Sequence, residues 1–318
     1  MFIILGVLGG LSLFLYGVTR LSISLKKLAG KRMKRILERF TSNIVMAVLL
    51  GILVTVALDS SSVTIILVIA LVNAQVMALQ RALAVILGAN IGTTVSSQII
   101  AFQVEVYASL LLVVGFVIYF AGNHKKTTKY LGLVLFAFGL IFFGLGMMSH
   151  AVEPLKEHHG FTSWIRYLES PPKGVLVGAL ITAIIQSSSA TMGIVITMAS
   201  QKLISLGIGI TVMLGAEVGT CADTLLASIG RSREAIKAGI FHFGFNVVCV
   251  LIGLLFTDTI ANVAATISPS NVARQIANAH MIFNIGGVLL FVAFIPKIDW
   301  LLDKVVPQAN KKVIMAEN

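Results

Sequence analysis

The chain is written twice. Laid over itself at a displacement of 127 residues, without gaps, it brings Gly51 onto Gly178, Ser60, Ser61 and Ser62 onto Ser187, Ser188 and Ser189, and Thr64 onto Thr191. Further along, GANIGTT at 88–94 falls on GAEVGTC at 215–221, and upstream LFLYG at 13–17 falls on LIFFG at 140–144. Between 51 and 94, 16 of 44 positions are identical, and the matches gather in two polar motifs rather than spreading through the apolar background. A duplication of this kind restricts the fold to two copies of one structural unit packed against each other.

The solvent for those units follows from composition. Hydrophobic residues make up 57% of the 318 and charged residues only 12%, about half the charged share of an average soluble domain. Apolar runs of about 20 residues recur along the chain, each able to cross about 30 Å of hydrocarbon. The reading is an all-α polytopic membrane protein, not a soluble protein and not an enzyme. The first run, MFIILGVLGGLSLFLYGVTR, has its first cation only after the apolar stretch, so it is expected to be a retained helix rather than a signal peptide. Cys221 and Cys249 both fall inside apolar segments, which argues against a disulfide framework.

Each unit reads as a transmembrane helix, a helical hairpin and two further transmembrane helices. The first unit takes residues 1–127, with helices over 2–21, 77–102 and 106–121 and the hairpin over 43–74. The second takes 128–257, with helices over 131–149, 203–229 and 238–257 and the hairpin over 172–200. A last helix over 277–296 and a cytoplasmic tail occupy 258–318. The hairpins are read as re-entrant because Asp59 and three serines sit at the centre of the first. A charge facing lipid there would cost about 2.5–3.5 kcal/mol, whereas irregular backbone buried in protein is tolerated. Charge placement agrees. With three crossings per unit, nineteen of the 24 Lys and Arg fall on one side, and the positive-inside rule then puts the N-terminus outside and the C-terminus in the cytoplasm. An odd number of crossings also inverts the second unit relative to the first, with hairpin one entering from the cytoplasm and hairpin two from outside. The net charge of +11 is accounted for in this way and implies no nucleic-acid partner.

The motifs carry the chemistry. LDSSSVT at 58–64 and IQSSSAT at 185–191 place hydroxyls where two half-helices meet. Hydroxyls accept toward a cation or donate to an anion, and the half-helix that follows offers free backbone N–H groups and a positive dipole end suited to an oxyanion such as phosphate. In GANIGTT and GAEVGTC, two glycines four apart would alone signal close helix packing. With Asn90, Thr93, Thr94, Glu217, Thr220 and Asp223 beside them, they are read as local unwinding at Gly88–Gly92 and Gly215–Gly219, with oxygen ligands for sodium or a proton site. Asp59, Glu217 and Asp223 lie at membrane depth with no matching cation in sequence, which asks for a mobile positive partner.

Other residues are read more plainly. His242, Asn246, Asn278, His280 and Asn284 are expected to hydrogen-bond between helices. The basic stretch at 24–40 reads as an amphipathic interfacial helix on anionic lipid. There is no phosphate-binding loop of the nucleotide-hydrolase type, no zinc spacing, and no serine with a positioned base.

The duplicated pair, QSSSAT with a GxNxGT segment, resembles the type II sodium/phosphate cotransporters and their bacterial relatives, over about residues 2–257. The resemblance implies phosphate and sodium sites at Gln186, Ser187, Ser188, Ser189, Gly219 and Thr220 in the second unit, and at Ser60, Ser61, Ser62, Asn90, Gly92 and Thr93 in the first. It implies inorganic phosphate as substrate, sodium as the coupling ion, no other cofactor, and a multi-pass place in the plasma membrane, compatible with a homo-oligomer. Two departures add negative charge: Asp59 stands where the family usually has Gln, and Glu217 where it often has Asn. They keep open a proton-linked carrier, a carrier of another oxyanion or small carboxylate, and a phosphate-binding membrane regulator.

Overall fold

The computed structural model describes residues 2–29, 43–102, 107–122, 125–157 and 159–306, and no strand occurs among them. In the first half, α1 (Phe2–Ala29), α2 (Ile44–Leu58), α3 (Ser61–Asn73), α4 (Leu79–Ala101) and α5 (Ala108–Ala121) follow one another. The second half runs through α6 (Lys126–Val152), a 3-10 turn (Glu153–Glu157), α7 (His159–Tyr167), α8 (Pro171–Ile185), α9 (Ser188–Ser200), α10 (Leu206–Gly219), α11 (Cys221–Ser228) and α12 (Arg233–Leu255). The chain continues with α13 (Thr257–Ile267), α14 (Val272–Val292) and α15 (Ile295–Val305). The expected interfacial helix at 24–40 begins as the end of α1, and the rest of it lies outside the described residues, as does the tail after 306.

Six helical stretches are long and apolar enough to cross a membrane: Phe2–Leu25, Leu79–Ala101, Lys126–Leu155, Leu206–Ser228, Arg233–Leu255 and Val272–Val292. The sequence led us to expect seven. The seventh is α5, whose 14 described residues reach about 21 Å and fall below that length by themselves. Sequence periodicity also missed α7, α13 and α15, three short helices in stretches read as connections or tail.

Small residues set the packing, as they do where lipid competes equally for apolar surface. A methyl group added at Gly10 would lie 2.6 Å from the Gly144 carbonyl oxygen, so α1 and α6 touch backbone to backbone. In the first hairpin Gly51 of α2 abuts the Val85 carbonyl of α4, and Gly88 of α4 abuts the Val48 carbonyl of α2. The second half repeats both contacts at the same displacement, Gly178 against Val212 and Gly215 against Val175. The expected unwinding at Gly88–Gly92 is therefore absent: α4 is continuous through Gly92, and its glycines serve close approach instead. In the second half the helix is interrupted only at Thr220, after Gly219. Burial places α4 at the centre and α1 at the periphery: 72% of an 18-residue stretch of α4 is buried against 17% for α1, where Phe2, Ile4, Leu5 and Leu8 are exposed and Phe14 is buried.

Candidate functional site

Both hairpins turn by the same device. α2 ends at Asp59 (φ 50°, ψ 37°) and α8 at Gln186 (φ 57°, ψ 32°), left-handed conformations that cost a non-glycine residue about 1 kcal/mol or more. Each turning residue donates its backbone N–H back to a threonine carbonyl, Thr55 or Thr182. The chain then extends at Ser60 and Ser187, whose Oγ atoms cap the next helix by accepting from Val63 N–H and Ala190 N–H, both at 3.2 Å. The arms are tied behind the turn by hydroxyl pairs, Thr55–Thr64 at 3.0 Å and Thr182–Thr191 at 2.8 Å.

The two tips face one small cavity of about 40 Å³, lined by Asp59, Ser60, Ser61, Ser62, Thr93, Ser96, Gln186, Ser187, Ser188 and Ser189. Serines 61, 62, 188 and 189 occupy the first turns of α3 and α9, where backbone N–H groups have no intrahelical acceptor and the dipole is positive. Among the described residues the cavity thus receives donors from both halves, one carboxylate, and no Lys, Arg or His side chain. Ser96 was not anticipated. Its hydroxyl donates to Asp59 Oδ1 at 2.5 Å, and the available clue was its spacing of three from Thr93, which puts both on one face of α4.

Other expected site residues lie elsewhere. Asn90 donates to the Ile86 carbonyl at 3.0 Å, Thr94 to Ile91 at 2.8 Å and Thr220 to Ala216 at 2.7 Å, so these side chains satisfy their own helices. Thr93 lines the cavity while also bonding the Ala89 carbonyl. Gly92 and Gly219 pack against Thr55 and Thr182. Asp223 faces the Ser62 hydroxyl from α11.

Glu217 has a partner the sequence reading missed. His280 Nε2 lies 2.5 Å from Glu217 Oε1, Asn284 Nδ2 donates to the same oxygen at 3.1 Å, and His280 Nδ1 meets Ser97 Oγ at 2.8 Å. With the imidazole donating from Nε2, Nδ1 accepts from the serine. All four side chains are buried, and they join α4, α10 and α14 through one polar chain. A second cluster links Thr224, His242, Asn246 and Cys221, as interhelical hydrogen bonding requires. The Oδ1 atoms of Asn246 and Asn284 are buried and unpartnered.

The Na+/Pi-cotransporter family matches residues 13–150 and 156–295, which together cover both halves. "Uncharacterized protein YqeW" of Bacillus subtilis (strain 168) is 31% identical over 280 residues, 88% of this chain and 90% of that protein. "Putative inorganic phosphate export protein YjbB" of Escherichia coli (strain K12) is 26% identical over 296 residues, 93% of this chain but 54% of that protein, so the chain spans about half of that relative's length. "Sodium-dependent phosphate transport protein 2B" of Homo sapiens is 31% identical over 133 residues, 38% of this chain and 19% of that protein. No solved structure matches. A family match that covers both halves, on a chain whose two serine motifs meet at one cavity, places this protein in the Na+/Pi-cotransporter family.

Proposed function

We propose that the chain carries inorganic phosphate across the plasma membrane together with sodium, by alternating access of two inverted repeats. The observation that carries this reading is the cavity itself: hydroxyls and helix N-termini from both halves converge there, and among the described residues that line it Asp59 alone carries a formal charge. Phosphate in such a place lacks a fixed positive partner and sits near a carboxylate, so a mobile cation is needed between them. Moving a dianion inward against an inside-negative potential costs about 4.6 kcal/mol per 100 mV, which two sodium ions would cancel and three reverse. Asp59 is the first candidate ligand. The second is the buried oxygen of Asn284 beside Glu217. Gly92, Thr94, Gly219, Thr220 and Asp223 would act around these ions rather than on phosphate.

Inversion is supported by where the hairpins are anchored. Each arm has 13 to 15 residues, about 20 Å, and does not span the bilayer alone. The first hairpin ends beside the start of α12, where Asn73 Oδ1 accepts from Ser232 N–H at 2.7 Å. The second ends beside the end of α6, where Gln201 Nε2 donates to Ser149 Oγ at 2.5 Å. One crossing, over 206–228, separates those places, so the hairpins enter from opposite sides.

The name of the YjbB relatives favours a second reading of direction, net export. Purified protein in vesicles loaded with labelled phosphate, with the sodium gradient imposed either way, tests both. Flux should follow the gradient, and Ser187→Ala with Ser188→Ala should reduce it to background in protein that remains monodisperse. Flux indifferent to sodium would remove the coupling, and unchanged flux in the double variant would make the serines structural.

A further inference from the structure

The last described helix, α15, sorts its side chains by charge as well as by hydrophobicity. Ile295 and Leu302 are buried against the protein, and the two acids are held on that side: Asp299 accepts from Gln80 Nε2 at 3.0 Å, and Asp303 pairs with Arg233 at 2.7 Å and with Lys237. The hydrogen bond from Lys237, with Arg233 beside it, keeps the Asp303 carboxyl below the ordinary carboxylate range, so this tie persists at neutral pH. The outward face holds the remainder. Trp300 and Leu301 are 60% and 53% exposed, with Phe294 and Val305 beside them. The cations lie among these groups, Lys304 Nζ 3.6 Å above the Trp300 ring and Lys297 Nζ 5.6 Å from that of Phe294. On a helical projection at 100° per residue, Phe294, Lys297, Trp300, Leu301, Lys304 and Val305 share one side.

The position of α15 fixes what that side can meet. It starts three residues after the end of the span Val272–Val292, and its acids reach Gln80 and Arg233, at the starts of Leu79–Ala101 and Arg233–Leu255. Three candidate spans therefore have an end at this helix, and α15 lies across those ends in the plane of the membrane boundary. An apolar aromatic face at that depth, bearing cations while the acids are bonded to Gln80, Arg233 and Lys237 on the other side, is complementary to lipid with anionic headgroups.

We propose that α15 is a lipid-binding strap: Trp300, Leu301 and Val305 enter the interface of the adjoining leaflet, Lys297 and Lys304 take anionic phospholipid headgroups, and Asp299 and Asp303 fasten the strap to α4 and α12. This inference is independent of what the cavity carries. Each lysine near an anionic surface is worth enough to enrich acidic lipid by roughly threefold or more.

The chain has two tryptophans, so Trp164→Phe isolates Trp300, and subtracting the emission of Trp300→Phe from that of the parent isolates it a second way. The full chain is reconstituted in vesicles containing either phosphatidylglycerol or phosphatidylcholine brominated near the headgroup end of the acyl chains, at equal bromine content. Trp300 should be quenched by both, and roughly threefold more effectively by the anionic lipid. Lys297→Gln with Lys304→Gln should leave the quenching and abolish the anionic preference. Absence of quenching would mean that water, another protein or a second copy of the chain covers this face, and would overturn the proposal. Equal quenching by the two lipids, or a preference that survives loss of both lysines, would overturn the headgroup assignment.

Discussion

The two hairpins agree in everything that shapes them and differ in what they put into the cavity. A glycine approaching a valine carbonyl, a hydroxyl pair between the arms, a left-handed turning residue and a capping serine recur at matched positions. The turning residue itself is Asp59 in one hairpin and Gln186 in the other. The neighbouring helices differ likewise at Asn90 and Glu217, which also correspond. The first half thus has Asp59 where the second has Gln186, and the second has Glu217 and Asp223 where the first has Asn90 and Ser96; Asp59 and Glu217 have opposite surroundings. Asp59 lines the cavity, with a hydroxyl as its bonded partner. Glu217 is closed off by His280 and Asn284 from α14, a helix with no counterpart in the first half. Backbone geometry is kept by the duplication, whereas charge is placed wherever a local partner makes it tolerable.

The largest expected effect follows from the closed carboxylate. His280→Ala removes the donor nearest to a buried charge and should lower stability by about 3 kcal/mol or more, read as the unfolding midpoint of purified protein in detergent. Glu217→Asn, which copies the first half, should recover most of that loss in the same background. Asn90→Glu, which copies the second half without a histidine to meet it, should destabilise on its own. If His280→Ala is as stable as the parent, Glu217 has another partner and the contrast between the halves at this position fails.

A smaller and symmetrical effect is expected where the hairpins are alike. A methyl group at Gly51 or Gly178 would meet backbone carbonyl, which cannot rotate away as a side chain can. Gly51→Ala and Gly178→Ala should each cost about 1–3 kcal/mol, by the same measurement, and should match within about 0.5 kcal/mol. A large cost at one and none at the other would show that the shared contacts are not equivalent in strength.

The same two contrasts mark what a single sequence carries. The duplication and the arms of both hairpins follow from patterns local to each motif, because turn and cap chemistry is written within a few residues, whereas a site shared by Ser60–Ser62 and Ser187–Ser189 follows only from the family resemblance. Continuity of α4 through Gly88 was not legible, since glycine spacing signals close approach and unwinding alike and only the neighbouring carbonyl decides. The partner of Glu217 was not legible either: His280 is 63 residues away on a helix outside the repeat, and pairing across such a distance leaves no periodic trace. The short helices α7 and α15 have too few apolar residues for a span, so the sequence pattern marks them as connection and tail.

The smallest expected effect lies at the tips. With Asp59 as a sodium ligand, Asp59→Asn should raise the sodium concentration for half-maximal phosphate flux roughly ten-fold, about 1.4 kcal/mol of lost binding, while phosphate affinity at saturating sodium changes less. If the carboxyl carries a proton instead, the same change should flatten the pH dependence of flux and leave its sodium dependence alone. Gln186→Glu sharpens the comparison. Added to the parent, it would place a second carboxylate in the same cavity and should weaken phosphate binding by like-charge repulsion. Added to Asp59→Asn, it would move the charge from one hairpin to the other across matched backbone, and sodium dependence should return in part, because both turning residues line the cavity. No recovery in the double variant would mean that the ion is held by Ser96 and its surroundings on the first side alone. Wild-type sodium and pH dependence in Asp59→Asn itself would mean that the charge difference between the tips has no part in transport.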